Sequence, residues 1–190
     1  MSRLVFLLEE PSMKAFLDEF LPRLLPRIDF LCLKHEGKQD LEKSIPRKLQ
    51  AWREPGVRFV VVRDNDGANC QNVKARLRTL CEQGGRAETL VRIACQELEA
   101  WHLGDFDSLA QAYSKPELAK NKRKSKYSNP DALLNASQDL SRLVPEFRKV
   151  DGARRMGKIM PTVGKNNRSR SFQVFVDYSA PQKLDRWFRW

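Results

Sequence analysis

No two of the four cysteines, Cys32, Cys70, Cys81 and Cys95, stand as Cys-x-x-Cys, and the two histidines, His35 and His102, lie far apart. This spacing excludes the usual zinc frameworks and leaves the cysteines as reduced, mainly packing residues. No apolar run approaches the roughly 20 residues of a membrane-spanning helix. The opening segment has one basic residue, and its apolar run stops at Glu9 and Glu10 with no small-residue cleavage site, so it does not read as a signal peptide. A cytoplasmic protein is expected. No Gly-x-Gly-x-x-Gly follows any candidate strand. Gly37-Lys38 lacks both the preceding glycine and the following hydroxyl residue of a phosphate loop, which argues against dinucleotide binding and P-loop chemistry. No internal repeat is evident.

What is present is positive charge. The 190 residues carry a formal net charge of +11. That surplus favours a polyanionic partner, meaning nucleic acid, although it also serves simple solubility. Its distribution favours the first reading. The basic residues concentrate in the second half, and the carboxylates that end strands lie in the first.

The run Phe59-Val60-Val61-Val62 reads as a strand buried on both faces, as in a parallel sheet. It ends in Asp64-Asn65-Asp66-Gly67. Ligands of open α/β sheets bind at the carboxyl ends of strands, and two carboxylates one residue apart repel unless a cation such as magnesium lies between them. The same tetrapeptide is also ordinary turn chemistry.

Further candidate strands are Arg3 to Leu8, Ile28 to Leu33 and Glu88 to Cys95. The intervening helices run from Met13 to about Leu25 with Ser12 as cap, from Gln39 or Asp40 to Trp52, and from Asn69 to Glu82. This alternation predicts an α/β fold with a parallel four-stranded sheet flanked by helices. Glu9 then ends a strand just before a helix, as Asp64 and Asp66 do. Lys38 falls near the same edge, as a substrate contact or a solvated turn residue. Glu97 and Glu99 follow the fourth strand. In a helix they diverge by roughly 200°, so one of them faces Asp64 and Asp66, and Glu97 is favoured as nearer the strand end. Both also suit a surface helix start.

After Asp107 the composition shifts. Residues 1–106 are expected to form the core, and 107–190 a basic, mainly helical C-terminal extension packed on it. Within Ala119 to Ser128 the cations Lys120, Lys122, Arg123, Lys124 and Lys126 read as an exposed loop, for phosphate contact or as a solvated linker. Pro130 to Val144 looks helical, and Lys165, Arg168 and Arg170 add further charge before Phe172 to Val176, a short strand or helix start. Trp187, Phe188 and Trp190 are expected to pack on the body or on a partner.

A strand ending in glutamate and a later one ending in Asp-x-Asp, in a small parallel α/β unit, resembles the Toprim domain. Topoisomerases, bacterial primases and the overcoming-lysogenization-defect (OLD) nucleases share that domain. Leu8-Glu9-Glu10-Pro11-Ser12 resembles its Val-Glu-Gly-Pro-Ser segment, with Glu10 where the family has glycine. The wider chain resembles a bacterial family of stand-alone Toprim-like proteins at His35 to Leu41, Arg92 to Trp101 and Asn167 to Phe172.

The resemblance implies a Mg²⁺- or Mn²⁺-dependent nuclease acting on DNA or RNA. It would be the effector of an anti-phage defence module that works with an ABC/SMC-type ATPase. Glu9, Asp64 and Asp66 would bind metal, completed by Glu97 and Glu99, and Lys38, Lys165 or Arg168 would steady the reacting phosphate. The alternative is a non-catalytic docking module that binds nucleic acid or the ATPase. A phosphatase on a similar sheet would leave the basic half unexplained. Tyr113, Tyr127 and Tyr178 all lie in the second half, away from the acidic motifs, which argues against a topoisomerase nucleophile.

Overall fold

The computed structural model describes residues 3–179. Strands β1 (Arg3–Leu8), β2 (Asp29–Lys34), β3 (Val57–Asp64) and β4 (Leu90–Ala94) form one sheet of order β2-β1-β3-β4, and every pairing is parallel. Helices α1 (Pro11–Leu24), α2 (Lys38–Ala51) and α3 (Cys70–Gln83) are the crossovers. The helical remainder comprises α4 (Leu98–Leu103), α5 (Phe106–Ala112), α6 (Ala136–Leu143), α7 (Lys149–Ile159) and α8 (Arg170–Ser179). The expected four-stranded parallel α/β sheet and helical C-terminal part are therefore present.

β1 and β3 are buried on both faces because their side chains alternate between two apolar layers. Val5, Leu7, Phe59 and Val61 face α2 and α3 with Leu41, Ile45 and Leu77. Leu4, Phe6, Leu8, Val60 and Val62 face the other way, into a cluster with Phe16 and Phe20 of α1, Trp101 of α4, Met156 of α7 and Phe172 of α8. One core thus joins the sheet to the C-terminal helices. Helix α7 crosses α1 closely. A Cβ at Gly157 would lie 2.4 Å from the Phe16 carbonyl oxygen, so only glycine fits there.

Several local expectations are corrected. Ser12 is not the cap of α1: the helix starts at Pro11 with Glu10 in the N-cap position, and the Ser12 hydroxyl donates to the Glu10 carboxylate. Proline suits that first position because its missing N–H would be unpaired anyway. The basic run is no open loop. It folds into short 3-10 turns, Pro116–Arg123 and Ser125–Tyr127, because Leu118 and Tyr127 are buried and Asn121 donates to the Leu118 carbonyl at 3.0 Å. Pro130 to Val144 is a 3-10 turn, Pro130–Ala132, followed by α6. Phe172 to Val176 is helical, within α8. Trp187, Phe188 and Trp190 lie outside the described residues.

Candidate functional site

The carboxyl ends of β1 and β3 are neighbours in the sheet, and β4 brings its following loop beside them. The two loops are zipped together. The Asn65 amide donates to Ala94 O at 3.3 Å and the Asp66 amide to Gln96 O at 3.2 Å, while the Gln96 amide donates to the Asn65 side chain. Both turns hold a residue other than glycine in the left-handed region, Asp66 at φ 48° and Gln96 at φ 66°. Such conformations concentrate at functional sites, where the surroundings hold them. Asn65 is a site organiser that reading the flanking aspartates alone does not reveal.

Asp64 is buried. Its Oδ2 accepts the Leu98 amide at 3.3 Å, and its Oδ1 has no hydrogen-bond partner among the described residues. Burial raises its pKa well above the ordinary carboxylate range, and Glu10, Glu99 and Glu9 push it further. Glu99 is 1% exposed and neither carboxylate oxygen has a hydrogen bond among the described residues. Burial pushes its pKa up to about 7 against the pull of Lys149, whose Nζ lies 3.9 Å from Oε1. Glu9 is also pushed up to about 7, by burial first and then by Asp66, with Arg63 pulling the other way. Its Oε2 lies 3.5 Å from Arg63 Nε, and Arg63 is shared with Glu42 at 2.6 Å. Asp66 is half exposed, with Lys38 Nζ 3.9 Å from its Oδ2.

The structure therefore brings together Glu9, Asp64, Asp66 and Glu99, with Lys38 at one side and Lys149 at the other. Glu97 points elsewhere, contrary to the preference drawn from its place in the chain. As the N-cap of α4 it stays extended, and its carboxylate accepts the Ser137 amide at 2.8 Å and hydroxyl at 3.1 Å, tying down α6. Arg63 and Lys149 join the site's electrostatics without having been singled out for it, and Glu10, expected to alter the site charge, joins them. The displaced glycine in the Glu9-Glu10-Pro11 segment was the available signal for Glu10.

Of the basic residues, Lys122 pairs with Asp107 at 2.8 Å and Lys126 with Asp139 at 2.6 Å, and Arg168 donates to the Lys122 carbonyl. Lys120, Arg123, Lys124, Lys165 and Arg170 are exposed and make no ion pair among the described residues. The stretch Asn167 to Phe172 acts as a latch. Asn167 donates to Trp101 O at 2.8 Å, Trp101 Nε1 donates to the Ser171 hydroxyl at 2.8 Å, and Asp131 accepts the Ser171 amide at 2.7 Å.

A hard divalent cation suits these donors: buried carboxylate oxygens lacking hydrogen bonds among the described residues, with pKa values raised by burial and then by neighbouring carboxylates. Among the described residues, no group of three His, Cys, Asp or Glu side chains is already drawn in as a metal cage.

With Glu9 directly after β1 and Asp64-Asn65-Asp66 at the end of β3, the four-stranded parallel sheet has a Toprim-like α/β fold. The chain belongs to the family described as a domain of unknown function, DUF4276, which matches residues 8–178. No curated protein matches it. The fold is that of the C-terminal region of OLD proteins. The *Burkholderia pseudomallei* region is 17% identical with a TM-score of 0.50, covering 94% of this chain and 97% of its own. Two structures of the *Xanthomonas campestris* pv. campestris region are each 14% identical. The one phased with mercury has a TM-score of 0.54 and covers 99% of this chain and 97% of its own; the one phased with iodine has 0.50, with 98% and 98%. No described helix is long and apolar enough to cross a membrane.

Proposed function

We propose that this protein is a metal-dependent nuclease that hydrolyses phosphodiester bonds of DNA or RNA at the Glu9–Asp64–Asp66–Glu99 cluster. One observation carries the reading: buried carboxylates with unpaired oxygens converge at the ligand-binding end of a parallel sheet, in a chain of net charge +11. Glu9, Asp64, Asp66 and Glu99 would hold Mg²⁺ or Mn²⁺. When bound, such a cation supplies an activated water and neutralises charge on the scissile phosphate. Lys149 and Lys38 stand on either side of the cluster and orient phosphate oxygens. Lys149, Arg142 and Arg148 together line a groove against α6. These side chains track a backbone without reading sequence. The ABC/SMC-type ATPase partner and the role in anti-phage defence, both implied by the Toprim resemblance, belong to the same proposal.

The test is incubation of end-labelled single-stranded DNA, duplex DNA and RNA with the full chain and Mg²⁺ or Mn²⁺. Metal-dependent cleavage by wild type, absent in Asp64→Asn, is expected. Cleavage that survives Asp64→Asn contradicts the assignment. A docking module that binds nucleic acid or the ATPase is the second reading, favoured by the lack of a preformed three-residue cage among the described residues. It predicts nucleic-acid binding that is indifferent to metal and to Asp64→Asn.

A further inference from the structure

On the outer side of β4, between α3 and α8, lies a cavity of about 270 Å³ that none of the clustered acids lines. Three cationic side chains, Lys74, Arg92 and Arg170, face it, and Val91, Ile93 and Val174 form an apolar wall. We propose that this cavity binds a phosphate-bearing ligand of mononucleotide size, either a free nucleotide or the phosphorylated end of a strand.

Arg92 already donates to the Val91 carbonyl at 2.9 Å, so the case for an anion rests on Lys74 and Arg170. Lys74 makes no ion pair or hydrogen bond among the described residues. Its pKa is lowered by partial burial and then by the guanidinium groups of Arg92 and Arg78, so like charges crowd it. A bound dianion would relieve that repulsion. Arg170 spends one contact on Gln173, at 3.1 Å, and is otherwise exposed. The one carboxylate in the lining, Asp131, is committed to neighbours: it accepts the Ser171 amide at 2.7 Å and the Ser171 hydroxyl at 3.1 Å, besides the Ser169 hydroxyl. The size limits the ligand. Small-molecule sites run from roughly 300 to 1,000 Å³, so a cavity just below that range takes at most one nucleotide and not a duplex. A phosphate held by the cations, with a base or sugar against the apolar wall, uses both halves of the lining.

This inference does not depend on nuclease activity, and its test can be made without divalent metal. Cys70 and Cys95 both line the cavity, half-buried, and lie on separable peptides, whereas Cys32 and Cys81 are buried elsewhere. The rate of Cys70 alkylation by N-ethylmaleimide, read by peptide mass spectrometry on the full chain in EDTA, therefore reports occupancy. The probes are inorganic phosphate, adenosine 5′-monophosphate, and a short oligonucleotide with either a 5′-phosphate or a 5′-hydroxyl.

Adenosine 5′-monophosphate is expected to bind by calorimetry and to slow Cys70 alkylation at least fivefold. Lys74→Gln and Arg170→Gln, checked for native circular dichroism, should each weaken binding about tenfold. Protection by the mononucleotide supports a free nucleotide as the source. Protection only by the 5′-phosphorylated oligonucleotide supports a strand end. No protection by any probe at millimolar concentration, or equal binding in both variants, overturns the proposal.

Discussion

Lys149 Nζ, on the first turn of α7, stands 3.9 Å from Glu99 Oε1, so a helix of the C-terminal part supplies the cation nearest the buried end of the acid cluster. Burial works against the charge on Lys149, but Glu99, with smaller contributions from Glu10, Glu97 and Asp64, outweighs it and raises the pKa. Lys149 is thus charged at any working pH. If it orients the scissile phosphate, Lys149→Gln should lower cleavage by roughly 10²-fold, the usual loss for one preorganised donor. Metal affinity should stay equal or tighten, because a competing positive charge has gone. Single-turnover cleavage read beside Mn²⁺ titration checks this, and a parallel loss of metal binding would contradict it.

The glutamates make stability depend on pH in a direction that can be measured. Glu99 has a folded-state pKa of about 7 against 4.5 for an unperturbed group. Between those values the folded state holds the proton more tightly, so its contribution is fully present below pH 4.5 and is lost as pH rises through 7. Glu99→Gln removes this loss. Without metal, the variant should gain on wild type as pH rises from 5 to 8, by an amount on the order of 3 kcal/mol. His102 acts in the opposite sense: burial lowers its pKa to about 3, so the stability it contributes is lost as pH falls below 6.5. Taking the difference between variant and wild type cancels that term. Denaturant melts at both pH values provide the check, and a pH-independent difference would contradict the assignment.

Ionising Asp64 is unfavourable in the metal-free fold, since burial raises its pKa and its Oδ1 lacks a partner among the described residues. Asp64→Asn keeps an acceptor for the Leu98 amide and removes the charge. The variant should melt higher than wild type without metal while losing cleavage, the trade-off expected where function holds unfavourable electrostatics in place. Thermal melts in EDTA settle the sign.

Helices α1 and α7 cross closely at Phe16 and Gly157. Gly157→Ala would set a methyl 2.4 Å from the Phe16 carbonyl oxygen and 3.0 Å from Glu19 Cβ. The backbones must part, at a cost of about 1–3 kcal/mol. Because α7 also carries Lys149, cleavage should fall with stability. An unchanged melting temperature would show that the crossing is looser than described.

Much of this was legible in the sequence because parallel strands announce themselves. The valine run of β3 and the apolar run of β1 are buried on both faces, and the acids after them land at the sheet edge by topology alone. Less legible was which way each acid turns. Glu97 and Glu99 straddle the start of α4, where one residue is still extended and the next lies inside the helix, so chain proximity favoured Glu97 while the geometry turned Glu99 inward. The basic run hid its structure because its cations outnumber Leu118, Asn121 and Tyr127, the residues that anchor it. Helix α7 was obscured in the same way. Its buried face is Gly152, Ala153, Met156 and Gly157, three of them small, and Gly157 serves close approach to α1 rather than apolar bulk.

The clustered carboxylates are proposed to form a divalent-metal site. Calorimetric titration of Mn²⁺ and Mg²⁺ into the full chain at pH 8, comparing wild type with Asp64→Ala/Asp66→Ala, tests it most directly. Saturable binding by wild type that vanishes in the double variant is the predicted result. Equal binding by the two proteins, or none by wild type even with a phosphorothioate oligonucleotide present to complete the site, would contradict it.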